Sequence, residues 1–118
     1  METIGQQQCL AWSNRGAKNL AAYKITVFLY VEPRFENEFL EYESAVLPLL
    51  KKHNGSLECR FRPAKEDVAG QIPFEIHVIS FAAKADFESY KNDPERKKYQ
   101  YLSERSIIKT EIFESVKN

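Results

Sequence analysis

The stretch Tyr23–Val31, YKITVFLYV, decides the architecture. It alternates Ile25, Val27, Leu29 and Val31 with Thr26, Phe28 and Tyr30, and it is rich in β-branched and aromatic side chains. That pattern describes a strand with one fully apolar face. Pro33 ends it. Downstream, Phe35, Phe39, Tyr42, Val46 and Leu49 or Leu50 recur at three- and four-residue intervals, one stripe along a helix. Glu36, Glu38, Glu41 and Glu43 mark the opposite, solvated side. Acids early and Lys51, Lys52 and His53 late suit the helix dipole at both ends. Asn54-Gly55 closes the helix as a C-cap, and Pro48 predicts a kink inside it.

From there, Ser56–Arg62 sets Leu57, Cys59 and Phe61 against Glu58, Arg60 and Arg62, the period of a half-buried strand. Residues 63–72 read as a loop. A third strand, Pro73–Phe81, places Phe74, Ile76, Val78 and Ser80 on one side and Glu75, His77, Ile79 and Phe81 on the other. Ala83–Tyr90 is a short helix that stops before Pro94. Asp93 and Pro94 then serve as N-cap and first residue of another, with Tyr99 and Leu102 facing inward. Ile107–Phe113 is the fourth strand, with Ile108, Thr110 and Ile112 opposed to Lys109, Glu111 and Phe113.

Strand, helix, strand, strand, helix, strand predicts an α+β, ferredoxin-like sandwich over residues 23–118. Right-handed crossovers put both helices on one face of a four-stranded antiparallel sheet of order four, one, three, two. Residues 1–22 read as an N-terminal arm anchored by Leu10 and Trp12. The uncovered sheet face is expected to carry Thr26, Phe28 and Tyr30; Lys109, Glu111 and Phe113; Glu75, His77, Ile79 and Phe81; and Glu58, Arg60 and Arg62. A face this apolar is expected to meet a second copy of the chain, with Phe28, Tyr30, Arg60, Glu75 and Phe113 at the interface.

Composition sets outer bounds. The 118 residues suffice for one domain with one core. Seventeen basic and seventeen acidic side chains cancel, which removes the global electrostatic case for nucleic acid or an anionic membrane. The opening METIGQQQCL lacks a basic start and an apolar stretch, so export is not expected. The apolar run Ile25–Val31 is too short to span a bilayer. Cys9 and Cys59, without a C-x-x-C or a nearby His, are expected as free thiols in a cytoplasmic protein.

The region Tyr23 to Glu114 resembles the dimeric α/β-barrel superfamily, in which two ferredoxin-like sheets pack by their open faces. It is most similar there to a bacterial family of domains of unknown function. The likeness is carried by FLEYESAVLPLLKKHNGSLECRF (Phe39–Phe61), by FEIHVISF (Phe74–Phe81) followed by Phe87 and Tyr90, and by NDPERKKYQYL (Asn92–Leu102) ending near Arg105. The resemblance implies a homodimer. It implies no single reaction, because members include cofactor-free monooxygenases, lactone isomerases, haem-handling proteins and amino-acid-sensing modules.

His77 is the candidate catalytic residue, since imidazole titrates near neutral pH; membership of a structural hydrogen-bond network is weighed above it. Arg60, Arg62, Glu58 and Glu75 are read first as cross-strand and cross-dimer ion pairs, and second as an anion site. His53 is read as a solvated helix cap. Neither His has a second His or Cys at i+3 or i+4, so no metal site is expected, and no cofactor either. Tyr42, Tyr90, Phe39 and Phe87 are the candidate ligand-binding residues, on the resemblance to proteins with a cavity between helices and sheet. The basic run Arg96, Lys97 and Lys98 reads as a solvated helix face. The expected function is thus a cytoplasmic homodimer binding a small, partly apolar molecule. A cofactor-independent monooxygenase or isomerase acting on an aromatic or lactone compound is the first alternative, and a ligand-free structural dimer the second.

Overall fold

The structure, a computed structural model, describes residues 23–64 and 71–115. The expected arm at residues 1–22, and the central part of the 63–72 loop, lie outside the described residues. Four strands, β1 (Tyr23–Val31), β2 (Gly55–Phe61), β3 (Glu75–Phe81) and β4 (Ile107–Glu114), form one antiparallel sheet of order β2-β3-β1-β4. This is the expected topology. Helix α1 (Glu36–Val46) follows a 3₁₀ turn at Pro33–Phe35. The second crossover is broken into α2 (Lys84–Lys91), α3 (Pro94–Lys97) and α4 (Gln100–Ser106).

Pro48 does not kink a continuous helix. The α-helix stops at Val46, and Leu47–His53 continues as 3₁₀ with Pro48 in its first turn, where the missing N–H is not needed. Asn54 takes the left-handed conformation, φ 56°, and its N–H closes the turn on the Leu50 carbonyl. Gly55 is needed for space: a Cβ there would come within 2.7 Å of the Phe81 ring.

Ile25, Val27, Leu29 and Val31 of β1 pack with Ile79 and Phe81 of β3 against Phe39, Leu50, Phe87 and Tyr90. Tyr42 and Val46 of α1 meet Leu102 of α4 in a second cluster. The pairs Ile25↔Ile79, Val27↔His77 and Leu29↔Glu75 put Glu75 and His77 beneath the helices. This corrects the expected face of β3. Phe74, Ile76 and Val78 made the more apolar set, yet Ile76 and Val78 point to the open side, opposite Phe28 and Thr26.

A bulge at Glu58 has the same effect in β2. Leu57 pairs with Ile79, but the next pair is Cys59↔Val78, so one extra residue is inserted and the faces exchange. Arg60 and Arg62 therefore turn toward the helices, not to the open face, while Cys59 and Phe61 turn outward. Arg60 and Glu75, expected at an open-face interface, are thus both on the covered side. Cys59 is disulfide-bonded and not a free thiol. The open face now reads Thr26, Phe28, Tyr30, Phe61, Ile76, Val78, Lys109, Glu111 and Phe113, with the Phe28 and Phe113 rings in edge contact at 5.3 Å. No helix among the described residues is long and apolar enough to cross a membrane.

Candidate functional site

Under α1, five side chains form one buried ionic cluster. Glu43 (4% exposed) comes from the helix, Glu75 (1%) and His77 (4%) from β3, Arg60 from β2 and Arg62 from the residue that follows β2. His77 Nε2 lies 2.9 Å from Glu75 Oε1 and 2.9 Å from Glu43 Oε2. Its hydrogen-bond geometry is good only toward Glu75. Arg60 donates to Glu43 Oε1 at 2.8 Å and its Nε lies 3.5 Å from Glu75 Oε1; Arg62 Nε donates to Glu75 Oε2 at 3.2 Å. Glu43 Oε2 is left buried without a hydrogen-bond partner.

The environments separate the two carboxyls. Burial pushes Glu43 up to about 7, reinforced by Glu75 and only partly offset by His77. Burial acts against the Glu75 anion as well, but hydrogen bonds from His77 and Glu43, and the charges of His77 and Arg60, hold it down at about 2. His77 is disfavoured as a cation by burial, yet the two carboxyls raise its pKa overall. One acid that is half-protonated near neutrality therefore stands beside one that stays ionised, the arrangement by which carboxyl pairs divide acid and base roles.

The donor atoms of Glu43, Glu75 and His77 lie within 4.8 Å of one another, a spacing that local sequence motifs do not reveal and that a metal could use. The charge balance argues against a cation. Two guanidiniums already engage the carboxylate oxygens at 2.8 and 3.2 Å, and a metal would displace them or face them.

Glu43 and His77 also line a cleft of about 610 Å³ between helices and sheet. Its walls include Phe39, Tyr42, Phe87 and Tyr90, the four residues singled out from the sequence, with Val27 and Ile79. The Tyr90 hydroxyl is anchored by donating to the Val46 carbonyl at 3.1 Å. The cleft reaches solvent along β4, where Ile108 is 57% and Ile112 45% exposed, and Lys91, Arg96, Lys97 and Glu104 stand on its lining. Glu43 was expected on the solvated side of α1. Its position four residues after Phe39 and three before Val46 is the signal that places it inside. Arg96, expected on a solvated face, is the second residue the sequence reading missed. His53 is not a solvated cap: it is mostly buried, with Nε2 2.7 Å from Asp93 Oδ2 and Lys52 2.9 Å from the same oxygen.

The raised Glu43 pKa has a definite consequence for stability. Glu43 holds its proton more tightly folded than unfolded, so its stabilising contribution is complete below pH 4.5 and is lost as the pH rises toward about 7. His77, also raised, acts in the same direction above 6.5. Glu75 acts oppositely, its contribution being present above 4.5 and lost toward about 2. Urea unfolding of the native chain should therefore show stability falling between pH 5 and pH 8 by on the order of 2 kcal/mol. Glu43→Gln should remove most of that fall. A slope unchanged in the variant would assign the titration to another group.

No family model and no curated protein matches the sequence. Several solved structures are similar. A protein of unknown function from Rhodopseudomonas palustris superposes with a TM-score of 0.69 at 9% identity, over 100% of this chain and 97% of that one. A dimeric protein of unknown function and ferredoxin-like fold from Bacteroides fragilis gives 0.60 at 11%, over 79% and 93%. A putative antibiotic biosynthesis monooxygenase from Bacteroides thetaiotaomicron gives 0.58 at 12%, over 80% and 88%. At such identities what is shared is the fold: the chain is an α+β protein of the ferredoxin-like type, whose known relatives in structure include proteins of unknown function.

Proposed function

We propose that this chain binds a small, partly apolar molecule in the cleft between its helices and sheet, and does so as a homodimer. The observation that carries the first part is the cleft itself: about 610 Å³, lined by aromatic and aliphatic side chains together with Glu43, His77, Arg96 and other charged groups. Volume and lining of this kind suit a ligand of drug-like size. The dimer is supported by the apolar character of the sheet face away from the helices, where Phe28, Phe61, Ile76 and Val78 are partly buried and Phe113 is half-exposed, and by the dimeric description of the similar Bacteroides fragilis protein.

A second reading, a cofactor-independent oxygenase or isomerase, is favoured by one specific observation. Glu43 carries the unpartnered oxygen and lines the cleft. His77 Nε2 is occupied with Glu75. In this reading Glu43 moves the proton and His77 and Glu75 position and tune it, so the chemistry sits one residue away from the imidazole that sequence reasoning favoured.

Three measurements test these statements. 2-Naphthol fluorescence should change saturably on titration with the protein. Thr110→Trp, which adds bulk at an exposed, cleft-lining position without touching the core, should weaken that binding by about tenfold or more; equal binding by the variant would put the probe elsewhere. For the second reading, the protein should catalyse deuterium exchange at the benzylic C–H beside the carbonyl of 2-tetralone, followed by NMR. Glu43→Gln should slow that exchange by about 100-fold, and background exchange with native protein would reject the reading. Sedimentation should give a dimer that Val78→Glu converts to monomer with an unchanged circular dichroism spectrum. A native monomer, or a variant that stays dimeric, would remove the open face from consideration.

A further inference from the structure

Among the described residues, two buried side-chain polar atoms have no hydrogen-bond partner: Glu43 Oε2 and Arg96 Nε. Both residues line the same cleft. A buried donor or acceptor without a partner forfeits its hydration with nothing in return, and native structures carry few of them. Two in one apolar cleft mark where a ligand would supply what the chain does not.

Arg96 is held in place, not trailing in solvent. Its guanidinium lies 4.8 Å from the centre of the Tyr90 ring and 6.0 Å from that of Tyr42. The acids around it are engaged elsewhere. Asp93 is taken by His53 and Lys52, Glu104 accepts from Gln100 at 2.8 Å, and Glu95 faces Lys98. No carboxylate among the described residues forms an ion pair with Arg96, and Lys91, Lys97 and Lys109 on the same lining add positive charge, against Glu43 and Glu104 as its acids. The Tyr90 hydroxyl engages the guanidinium as well, but a fixed, planar guanidinium with a free Nε–H, over aromatic rings and without a carboxylate among the described residues, is suited to a carboxylate.

From this we infer that the cleft takes a flat, apolar carboxylic acid bearing a hydroxyl group, its carboxylate on Arg96 and its hydroxyl at Glu43 Oε2. The aromatic side chains of the same lining, Tyr42, Tyr90 and Phe87, receive the apolar body. A hydroxyl suits the Glu43 end because it can donate to the carboxylate or accept from the carboxylic acid, whichever form is present. This assignment rests on the cleft-binding reading and specifies its ligand class.

The test compares three probes of one size: 6-hydroxy-2-naphthoate, 2-naphthoate and 2-naphthol, titrated into the native chain, Arg96→Gln, Arg96→Lys and Thr110→Trp. 6-Hydroxy-2-naphthoate should bind about tenfold tighter than 2-naphthol, and more tightly than 2-naphthoate. Arg96→Gln should collapse the advantage over 2-naphthol to within about twofold, and Arg96→Lys should keep part of it, since it retains charge without the fork. Thermal melting identifies any variant that has lost its fold, and the Lys variant then decides. Equal affinity of 6-hydroxy-2-naphthoate and 2-naphthol for the native chain, or an advantage that survives Arg96→Gln, overturns the carboxylate assignment. It leaves the cleft reading standing if Thr110→Trp still blocks the probes. Binding of none of the three, or binding untouched by Thr110→Trp, overturns the cleft reading itself.

Discussion

A carboxylate at Glu75, 1% exposed beneath the helices, is the constraint around which the interior is arranged. An isolated ion there would be strongly disfavoured, so its surroundings must supply both charge and hydrogen bonds. They come from three directions. Arg62 donates to one oxygen at 3.2 Å, and His77 from the same strand reaches the other at 2.9 Å. Arg60 stands 3.5 Å away and spans to Glu43, tying the sheet to α1. The Arg62 guanidinium also lies over the Phe74 ring, 4.2 Å from its centre, which shields it from water on one side. Removing any one partner would leave an uncompensated buried charge, so the set stands or falls together.

That cluster exists because of one inserted residue. Had β2 kept a strict two-residue period, Leu57, Cys59 and Phe61 would all face the helices and both arginines would lie on the open sheet, leaving Glu75 and His77 uncompensated. The bulge at Glu58 exchanges the faces midway, so Leu57 still contributes to the apolar end of the sandwich while Arg60 and Arg62 serve the polar end. Glu58 is itself held, accepting from Ser80 at 2.6 Å. The same exchange sends Phe61 outward, where it joins Ile76, Val78 and Phe28 and makes the open face more apolar than simple alternation allows.

This explains which parts of the molecule were legible. The strand order, the β1 face, the stripe Phe39, Tyr42, Val46 and Leu50, and the Asp93-Pro94 helix start follow from periodicity and capping, which act within a few residues. The inner face of β3 was not legible, because its more apolar set points outward and its inner set becomes tolerable only through partners on other elements. A bulge carries no reliable mark in the sequence; the helical spacing of Glu43 from Phe39 and Val46 is visible there, but the Arg60 contact that makes a carboxylate tolerable at that place is not. The four aromatics on the cleft wall were readable as helix-stripe residues. The polar atoms that give the cleft its chemistry were not, since each depends on a contact between distant parts of the chain.

The cleft, finally, follows from the way the second crossover is broken. A single straight helix from Lys84 to Ser106 could lie along the sheet and cover β1 and β4 alike. Pro94 prevents it, and Asp93 fixes where the chain turns, accepting the Glu95 N–H at 2.8 Å as an N-cap. Asp93 also binds His53 and Lys52 at the end of the 3₁₀ segment, so the break is pinned to the first crossover and cannot slide. Three short helices then leave Ile108 and Ile112 uncovered on β4 and bring Arg96 to Tyr90. A proline and its capping aspartate, neither of them on the cleft's lining, thereby hold open the space in which one oxygen of the buried acid of α1 and the Nε of the α3 guanidinium are left without a hydrogen-bond partner.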